Sequence, residues 1–424
     1  MTPEIKQQIE QIRRGEVPEG FKHNSASVMP CDWNTCDFHE VATIQSGLVS
    51  PKEEPYCFMF HIGPDNIERD TGRIGNLKTA CELGLVSGKF YFDAGSIVYS
   101  KIRPNLNKVC IPNFEGICSA DCYSIKARAG IDRDYLFNLM LSFPFYRRAV
   151  ACSMRTGMPK INQDDLNAIP VVMPSQLEEQ QKIAAILTTQ DKVIELKEKL
   201  LAEKQRQKKY LMQVLLTGKK RLPRFSGEWK VNRLRNIATR HTKRNTIGNT
   251  NALTISAQYG LINQAEFFNK AVASDDKSNY FLLEKGDFAY NKSYSNGYPF
   301  GAIKRLTRYE VGIVSPLYIC FRIKEGSVSG EYLEQYFEAG LMNHEIQAFA
   351  QEGARNHGLL NIAVDDFFNS KILLPSPEEQ TAIAEIFSTA DREIDLLQRD
   401  IEQEKQKKKA LMQLLLTGIV RVKT

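Results

Sequence analysis

EEQQKIAAI (residues 178–186) and KKYLMQVLLTG (residues 208–218) open and close a stretch that this chain contains twice. The second copy, residues 378–418, opens with EEQTAIAEI and closes with KKALMQLLLTG, and about 19 of 41 positions are identical at an offset of 200. Weaker echoes precede each copy, for example FDAGSIVYSK at 92–101 and LEKGDFAYNK at 283–292. A repeat of this size predicts a chain built of two similar halves.

Each copy is predicted to be one long helix of a coiled coil. A proline (Pro174 or Pro375) precedes it, acidic residues occupy its first turn, and a Thr-Gly pair ends it. In the second copy the apolar residues follow alternating spacings of three and four, which is typical of a coiled-coil seam. A helix of about 41 residues extends roughly 60 Å, which is long for a helix within one domain.

The middle of each predicted seam is charged, with Lys204 and Lys208 in the first copy and Glu404 and Lys408 in the second. The sequence leaves two interpretations open. Either the helices are slightly splayed and these charges are solvated, or the charges fix the register and an antiparallel pairing of the helices.

The regions before the helices combine strand-like runs with shorter helical stretches, such as Ile97–Tyr99 and Asp134–Leu141 in the first half and Gly312–Phe321 and Glu331–Ala339 in the second. We therefore predict a mixed α+β fold in which two similar globular domains alternate with two long helices. The predicted segments are 1–174 (an N-terminal helix, Pro3–Arg14, and the first domain), 175–218 (the first long helix), 219–375 (the second domain) and 376–424 (the second long helix and a tail).

The composition is that of a globular protein, with 42% hydrophobic and 25% charged residues among 424. A chain of this length needs more than one core. No apolar run approaches the roughly 18 residues of a membrane helix, and the N-terminus lacks the apolar stretch of a signal peptide, so we expect a cytoplasmic protein. The nine cysteines are irregularly spaced, which favours buried thiols over a disulfide framework or a metal site.

Familiar catalytic motifs are missing from the sequence. It contains no GxxxxGKS/T phosphate loop, and no Pro-Pro dipeptide such as the Asn/Asp-Pro-Pro-Tyr/Phe tetrad of amino-methyltransferases requires. We therefore expect that this chain neither hydrolyses ATP nor transfers a methyl group, and that it binds no cofactor or metal itself.

Basic charge is concentrated in one run. The net charge is +6, and residues 219–244 hold ten Lys or Arg residues against one acid, Glu228. A run this dense either contacts phosphates or is a solvated linker, and the sequence favours neither.

Two matched loops offer contacts to nucleic acid. Lys and Arg hydrogen-bond the edge of guanine and Asn that of adenine, although turns alone also favour Asn, Gly and Pro. Because both halves keep a lysine close behind a tyrosine at the end of a strand-like run, we favour the functional interpretation. The candidates are Lys101, Arg103, Asn105, Asn107 and Lys108 in the first loop and Lys292, Tyr294, Asn296 and Tyr298 in the second.

A second pair of loops comes shortly before each long helix. The first, residues 155–162, contains Arg155 and Lys160, and the second, residues 353–358, contains Arg355, Asn356 and His357. Glycines in both loops allow the backbone to approach a phosphate, and the basic side chains supply charge. His357 by itself is more typical of an ordinary loop histidine.

The EEQxxIA helix start, the KKxLMQxLLTG helix end and the repeated order of domain and helix resemble the specificity subunit of type I restriction–modification systems, over essentially all of Pro18–Val422. The resemblance implies that each domain recognises one half of a bipartite site in double-stranded DNA. It implies that the two helices pack antiparallel and dock two methyltransferase (modification) subunits, which motor-nuclease (restriction) subunits join. Those partners would bind S-adenosylmethionine, ATP and Mg, and this chain would be non-catalytic.

Carried onto this chain, the resemblance places the first half-site at Lys101–Lys108 and Arg155–Asn162. It places the second at Lys292–Tyr298, at Lys304 and Arg305, and at Arg355–His357. Two alternatives stay open: an orphan or phase-variable specificity subunit of a methylation-only complex, and a coiled-coil scaffold that binds no DNA. The sequence also leaves open whether the N-terminal helix packs on the C-terminal end.

Overall fold

The computed structural model describes residues 3–24, 27–153, 159–256, 259–268, 277–294, 297–352 and 360–422. The chain divides into two compact units, Met1–Glu198 with Asp400–Thr424, and Lys199–Arg399. We call them the first and the second unit. Because the division falls within the two long helices, each unit holds one globular domain and part of both helices.

The first unit is built mainly from short strands. These are β1 (Phe21–Asn24), β2 (Ser27–Pro30), β3 (Trp33–Asp37), β4 (Ala42–Ile44), β5 (Leu48–Val49), β6 (Phe60–Ile62), β7 (Lys78–Thr79), β8 (Lys89–Phe92), β9 (Ile97–Ser100), β10 (Val109–Cys110), β11 (Gly116–Cys118), β12 (Cys122–Ala127) and β13 (Pro170–Pro174). Its short helices are α1 (Pro3–Arg13), α2 (Phe38–Val41), α3 (Arg133–Leu141), α4 (Phe143–Ser153) and α5 (Gln163–Asn167), with 3-10 turns at Tyr56–Phe58, Pro64–Asn66 and Pro104–Leu106.

Two sheets of the first unit pack against each other, and the helices cover the outer side. The sheets have the strand orders β10-β9-β12-β4 and β5-β8-β11-β6-β7, and only the pairing of β11 with β6 is parallel among them. Every residue of β9 is buried because both of its faces are covered. Tyr99 lies in the core shared with the helices, and Val98 lies in the smaller core shared with Phe92 and Cys118.

The second unit repeats this plan with a smaller second sheet. Its strands are β14 (Lys230–Arg233), β15 (Ala238–Arg240), β16 (Leu253–Ser256), β17 (Gly260–Asn263), β18 (Phe281–Glu284), β19 (Phe288–Asn291), β20 (Ala302–Arg305), β21 (Val311–Val314), β22 (Ile319–Ile323), β23 (Gln351–Glu352), β24 (Leu360–Asn361) and β25 (Lys371–Leu374). Its short helices are α7 (Leu234–Ile237), α8 (Gln264–Phe268), α9 (Gly330–Glu338), α10 (Asn343–Phe349) and α11 (Val364–Asn369).

A four-stranded sheet of order β15-β22-β19-β20 forms the centre of the second unit. Phe288 and Phe321 stack at 5.1 Å between ring centroids, and the ring of Phe337 from α9 meets Phe288 edge-on at 5.7 Å. The antiparallel pairs β16–β17, β18–β21, β14–β25 and β23–β24 surround this sheet.

The two long helices span Leu177–Leu215 and Pro377–Leu415, and we call them α6 and α12. Both end in the same way. Gly218 and Gly418 have φ angles of 70° and 72°, which favour glycine. The backbone N–H two residues further on donates to a carbonyl in the last turn, from Lys220 to Val214 at 3.0 Å and from Val420 to Leu414 at 3.1 Å. The repeated Thr-Gly pair is therefore the helix stop that the sequence predicts.

The charges in the middle of the helices pair across the helix–helix interface in each unit, as the second interpretation of these charges expects, and that they fix the register stays a prediction. Later positions on α6 pair with earlier positions on α12, which makes the pairing antiparallel. In the first unit the bonds are Gln190–Glu404 (2.6 Å), Lys197–Glu404 (2.9 Å) and Asp191–Lys408 (2.6 Å), and in the second they are Lys204–Glu393 (2.8 Å) and Lys208–Asp391 (2.5 Å).

The predicted short helices of both halves are confirmed as α3 and α9. The prediction that one strand-like run is continuous is wrong. Gly312–Phe321 is interrupted after Val314, and β22 begins only at Ile319. Between them the N–H of Tyr318 donates to the carbonyl of Ser315 at 3.1 Å, which closes a turn. An apolar run therefore concealed a change of direction at Ser315-Pro316.

All nine cysteines are free, and their burial is only partly as expected. Cys110, Cys118, Cys122 and Cys320 are buried, whereas Cys31 and Cys81 are exposed, so the expectation of a buried thiol is wrong for these two. Within the described ranges, no three His, Cys, Asp or Glu side chains are grouped in a way that suits a metal ion. In the same part of the chain, no helix is long and apolar enough to cross a bilayer.

Candidate nucleic-acid interface

The two loops that the sequence assigns to the first half-site lie side by side. Lys101 follows β9, and its carbonyl accepts the N–H of Ile161 at 2.9 Å. The N–H of Arg103 donates to the carbonyl of Pro159 at 2.8 Å, and Ile102 forms an antiparallel bridge with Lys160. Backbone hydrogen bonds thus join the segment after β9 to the segment that leads into α5. We call Lys101–Lys108 with Pro159–Ile161 the first recognition surface.

Lys101 is half-buried in this surface, between aromatic rings. Its ammonium lies 5.1 Å from the ring centroid of Tyr123 and 5.9 Å from that of Phe90, which are cation–π distances. Burial, together with the neighbouring ammonium of Lys160, lowers the pKa of Lys101. The rings therefore hold a positive charge at the edge of the surface, where a phosphate or a base could share it.

The remaining predicted residues of the first half-site divide into exposed and structural side chains. Arg103, Asn105 and Lys160 are exposed, and no described residue gives their side chains a hydrogen-bond or ion-pair partner. By contrast, Asn107 is buried and donates through Nδ2 to the Leu141 carbonyl at 3.1 Å. The Lys108 ammonium donates to the Pro64 carbonyl at 2.6 Å. Asn107 and Lys108 thus hold the loop in shape, and a DNA contact by either stays a prediction; Arg155 lies outside the described residues.

The backbone of this loop is strained at two places. Arg103 and Asn107 have φ angles of 47° and 46°, which are left-handed values that a side chain with a Cβ disfavours. They flank the 3-10 turn Pro104–Leu106 and so hold Asn105 at its tip. Strain of this kind persists only where surrounding contacts impose it, and it is common at functional sites.

The second unit repeats the backbone arrangement. Lys292 follows β19, and its carbonyl accepts the N–H of Leu360 at 3.0 Å, as the Lys101 carbonyl accepts that of Ile161. Leu360 begins β24, which pairs antiparallel with β23. Close packing requires a glycine here, since a Cβ on Gly301 would come within 2.3 Å of the Asn291 carbonyl oxygen. We call Lys292–Tyr298 with Leu360 the second recognition surface; Asn296, Arg355, Asn356 and His357 lie outside the described residues.

The side chains of the second surface differ in their exposure, and therefore in how far each could contact DNA. Tyr294 is 63% exposed and Lys292 is half-buried. The Tyr298 hydroxyl instead donates to the Glu338 carboxylate at 2.6 Å, and burial followed by that carboxylate raises the pKa of Tyr298. An exposed tyrosine and a lysine are thus what this surface offers, while Tyr298 has an internal role.

Lys304 and Arg305 are also held by internal contacts. Lys304 is buried, forms an ion pair with Glu338, and lies 4.7 Å from the ring centroid of Tyr298. The Arg305 guanidinium is 2.7 Å from Glu331 and 3.8 Å from Glu334. A cation that is already paired and partly desolvated has little charge to offer a phosphate, so we leave both out of the second recognition surface. DNA contact by either residue stays a prediction.

The basic run 219–244 is only partly available for phosphate contacts. Arg221 forms an ion pair with Glu379 at 2.6 Å, Lys243 lies 3.5 Å from Glu284, and Arg244 lies 5.0 Å from the ring centroid of Phe281. Exposed basic residues without an acidic partner among the described residues are Lys219, Lys220, Arg224, Lys230, Arg233, Arg235 and Arg240.

Sequence reasoning missed a pair of matched clusters in which an arginine joins a long helix to a domain. In the first unit Arg421 forms two-pronged bonds with Glu179 (2.6 and 2.9 Å) and with Asp32 (2.8 Å each), and the Trp33 indole donates to Glu179 at 3.3 Å. The repeat itself carried the signal, because Arg221 occupies the matching position. A search at the offset of 200 beyond the two helix ends would have aligned them.

The second unit contains the same cluster. Arg221 forms two bonds of 2.6 Å with Glu379, and the Trp229 indole donates to that carboxylate at 3.2 Å. An arginine after α12 therefore binds the start of α6 in the first unit, just as an arginine after α6 binds the start of α12 in the second unit. Arg421 thus packs the residues after α12 on the first domain; none of the described side chains of α1 is buried, and whether α1 packs on the C-terminal end stays open.

Comparisons with known proteins identify the family. A family model of the type I restriction modification DNA specificity domain matches residues 30–205 and again residues 226–405. The chain belongs to this family. As a type I specificity subunit it contains two DNA-recognition domains, and the two matches correspond to the two halves of the internal repeat.

Two relatives are named as type I specificity subunits. The chain is 41% identical over 181 residues to the type I restriction enzyme EcoDI specificity subunit of Escherichia coli, an alignment that covers 43% of this chain and 38% of that protein. It is 26% identical over 335 residues to the type I restriction enzyme MjaVIII specificity subunit of Methanocaldococcus jannaschii, covering 73% of this chain and 75% of that protein. The chain thus aligns with little more than a third of the length of the more similar of these two.

Solved structures share the fold. An HsdS subunit from Thermoanaerobacter tengcongensis matches with a TM-score of 0.50 and 19% identity, over 93% of this chain and 99% of that one. A chain from a study of complex assembly and conformational transition of the type I R-M system matches with a TM-score of 0.58 and 17% identity, over 92% and 99% of the two chains. The S subunit from M. genitalium matches with a TM-score of 0.53 and 12% identity, over 95% and 99%.

Proposed function

We propose that this specificity subunit recognises a bipartite site in double-stranded DNA, with the first recognition surface reading one half-site and the second reading the other. The observation that supports this most is the repeated backbone hydrogen bond, from Ile161 to Lys101 and from Leu360 to Lys292. Two loops built on the same backbone plan, with different exposed side chains, suit two half-sites of different sequence. Rigid elements hold each loop, which base readout requires.

The exposed side chains suggest how each half-site is read. In the first unit Arg103 and Lys160 offer guanidinium and ammonium donors, and Asn105 offers an amide at the tip of the turn. Arg contacts guanine and Asn contacts adenine through paired donors and acceptors in the major groove. In the second unit Tyr294 and Lys292 supply an aromatic hydroxyl and one ammonium, so we propose that phosphate contacts and shape contribute more there.

We further propose that the paired helices dock two methyltransferase subunits and that motor-nuclease subunits join this complex. In that assembly the partners bind S-adenosylmethionine, ATP and Mg, and the specificity subunit itself is non-catalytic. The family membership supports the presence of partners. The name of the structural relative from the complex-assembly study, which refers to the type I R-M system, supports it as well.

A methylation-only complex with an orphan or phase-variable specificity subunit is the second candidate. It makes the same DNA contacts and differs only in lacking the restriction subunit. Neighbouring reading frames distinguish the two, because only the complete system encodes the motor-nuclease.

The experiment is methylome sequencing of cells that carry the chain with its methyltransferase partner. We expect methylated adenines in a site of two short conserved blocks separated by an unread gap. Arg103→Ala should relax one position of one block, and Lys292→Ala should affect only the other block. Each should cost about 1–3 kcal/mol of discrimination if the side chain contacts a base.

Lys52→Ala is the matched control, because Lys52 is an exposed lysine of the first unit outside both surfaces. It should leave both blocks unchanged. A single contiguous methylated motif would contradict the two-reader proposal. A chain that fails to bind random duplex even at low salt would instead support the scaffold without DNA binding.

A further inference from the structure

A loop in the first unit links the first recognition surface to the long helices. Residues 64–76, which we call the strap, close on themselves through the side chain of Asn66. That amide accepts the N–H of Gly63 at 2.8 Å and donates to the carbonyls of Gly75 and Asn76 at 3.1 Å each. Ile67 and Ile74 form an antiparallel bridge. The strap is therefore a preformed unit with a defined tip, at Asp70–Arg73.

One side of the strap supports the first recognition surface. The N–H of Asp70 donates to the Asn107 carbonyl at 3.3 Å, and the Lys108 ammonium donates to the Pro64 carbonyl at 2.6 Å. At the tip, Gly72 packs so closely on α3 that a Cβ there would lie 2.3 Å from the Phe137 ring. The loop Lys101–Lys108 contains both left-handed residues, and the strap thus contacts its C-terminal end, at Asn107 and Lys108.

The other side of the strap is anchored to α6. A guanidinium nitrogen of Arg73 lies 2.5 Å from one carboxylate oxygen of Glu198, and the ammonium of Lys405 on α12 lies 2.8 Å from the other. Burial alone would raise the pKa of Glu198, but the hydrogen bonds from Lys405 and Arg73 more than offset it, and the pKa is lowered. One carboxylate therefore joins the two helices to the strap.

The contacts of the strained residues explain why the strap matters. Left-handed Arg103 is fixed by the Pro159 carbonyl, and left-handed Asn107 is fixed by Leu141 on one side and by the strap on the other. Because such conformations hold only where neighbours impose them, a shift of the strap is transmitted to the 3-10 turn that presents Asn105. In the second unit a bond of 3.1 Å from the Gln335 amide to Asp391 is a further contact between the domain and α12.

We propose that Arg73 is a positioning residue for sequence recognition: anchored on Glu198, it holds the strap so that Arg103 and Asn105 meet the first half-site. This rests on the proposed function, because it assigns a role within the first recognition surface. The Arg73 side chain is 41% exposed, and so exposed an ion pair adds little to the free energy of unfolding. Its loss therefore changes the geometry of the loop more than the stability of the unit.

The test uses the full chain in complex with its methyltransferase subunits and two duplex libraries, each with one half-site randomised. For Arg73→Ala we expect discrimination within the first half-site to fall by about fivefold to thirtyfold, while discrimination within the second stays unchanged. Affinity for random duplex and its dependence on salt should not change, since no phosphate contact is removed. Arg73→Lys keeps the charge and should restore part of the discrimination.

Lys405→Ala is the matched control, because it removes the other cation of the same carboxylate without touching the strap. Equal effects of Arg73→Ala and Lys405→Ala, a loss of discrimination spread over both half-sites, or unchanged discrimination would each overturn the proposal. A wild-type complex that shows no bipartite preference would instead overturn the proposed function. Fluorescence of Trp33, buried in the first unit, reports whether each variant is folded.

Discussion

The two recognition surfaces share one backbone hydrogen bond and differ in their side chains. In both, the carbonyl of a lysine that follows an inner strand of the sheet accepts a backbone N–H, from Ile161 in the first surface and from Leu360 in the second. In the first surface Arg103 and Lys160 are exposed, whereas in the second unit Lys304 and Arg305 are paired with carboxylates of α9. The repeat therefore preserves the scaffold that places a loop, and the loop chemistry varies freely on it.

The comparison reverses at the junctions between the helices and the domains, where the side chains are the same in both units. Each junction consists of a tryptophan, a buried glutamate from the first turn of a long helix and an arginine from the residues after the other helix end. A buried carboxylate must be compensated, which restricts substitution far more than an exposed loop does. Conservation within one chain thus follows burial and charge compensation.

The largest effect is expected from removing the junction arginines. Arg421→Ala leaves the carboxylates of Glu179, which is 2% exposed, and of Asp32 without their cation, so the first unit should lose about 2–4 kcal/mol of its free energy of unfolding. Arg221→Ala, which leaves only Glu379 uncompensated, should cost the second unit somewhat less. Urea unfolding checks this.

The two tryptophans of the chain separate these effects, since Trp33 reports on the first unit and Trp229 on the second. Each variant is measured in a Trp229→Phe or a Trp33→Phe background. Arg421→Lys and Arg221→Lys keep the charge but lose the two-pronged geometry, and should fall between wild type and the alanine variants. An unchanged Trp33 transition in Arg421→Ala would show that the C-terminal residues do not stabilise the first unit.

A smaller effect should separate a structural lysine from a recognition lysine. Lys304→Met leaves Glu338 and Tyr298 without their ammonium and should cost the second unit about 1–2 kcal/mol of free energy of unfolding. Lys101→Met replaces the cation–π contacts of the ammonium with the Phe90 and Tyr123 rings by apolar contacts, which should cost the first unit about 0.5–1 kcal/mol of free energy of unfolding. In DNA binding at low salt the order should reverse, with Lys101→Met the weaker binder. Lys304→Met with full stability and impaired DNA binding would place Lys304 back in the interface.

Much of this architecture could be predicted from the sequence, because repetition makes long-range order visible. Both long helices and their glycine stops follow from apolar spacing and from the offset of 200, whereas charged pairs between the helices are only one of two interpretations that the sequence leaves open. That Lys101–Lys108 and Arg155–Asn162 serve one half-site is implied only by the resemblance to the family. Domain boundaries and DNA contacts of individual residues stay predictions.

The availability of side chains could not be predicted in the same way. Asn107 and Asn105 are the same residue type in the same loop, yet Asn107 is buried against Leu141 and Asn105 is exposed. Lys304 reads as a surface cation until Glu338, 34 residues later, is brought beside it by the packing of α9 on β20. Contacts of this kind depend on tertiary packing, which local residue patterns do not encode.

The smallest effect is a pH dependence that should differ between the helix pairs of the two units. The ammonium of Lys197 and the amide of Gln190 lower the pKa of Glu404 to about 2. A carboxylate with a lowered pKa contributes stability that is complete above its unfolded pKa of about 4.3 and is lost as pH falls towards 2. The matching position in the second unit is Lys204, which keeps its charge in that window. Acid should therefore shift the Trp33 urea midpoint more than that of Trp229, and Glu404→Gln should reduce the difference. If Glu404→Gln leaves the pH dependence of the urea midpoint reported by Trp33 unchanged, other carboxylates govern that dependence.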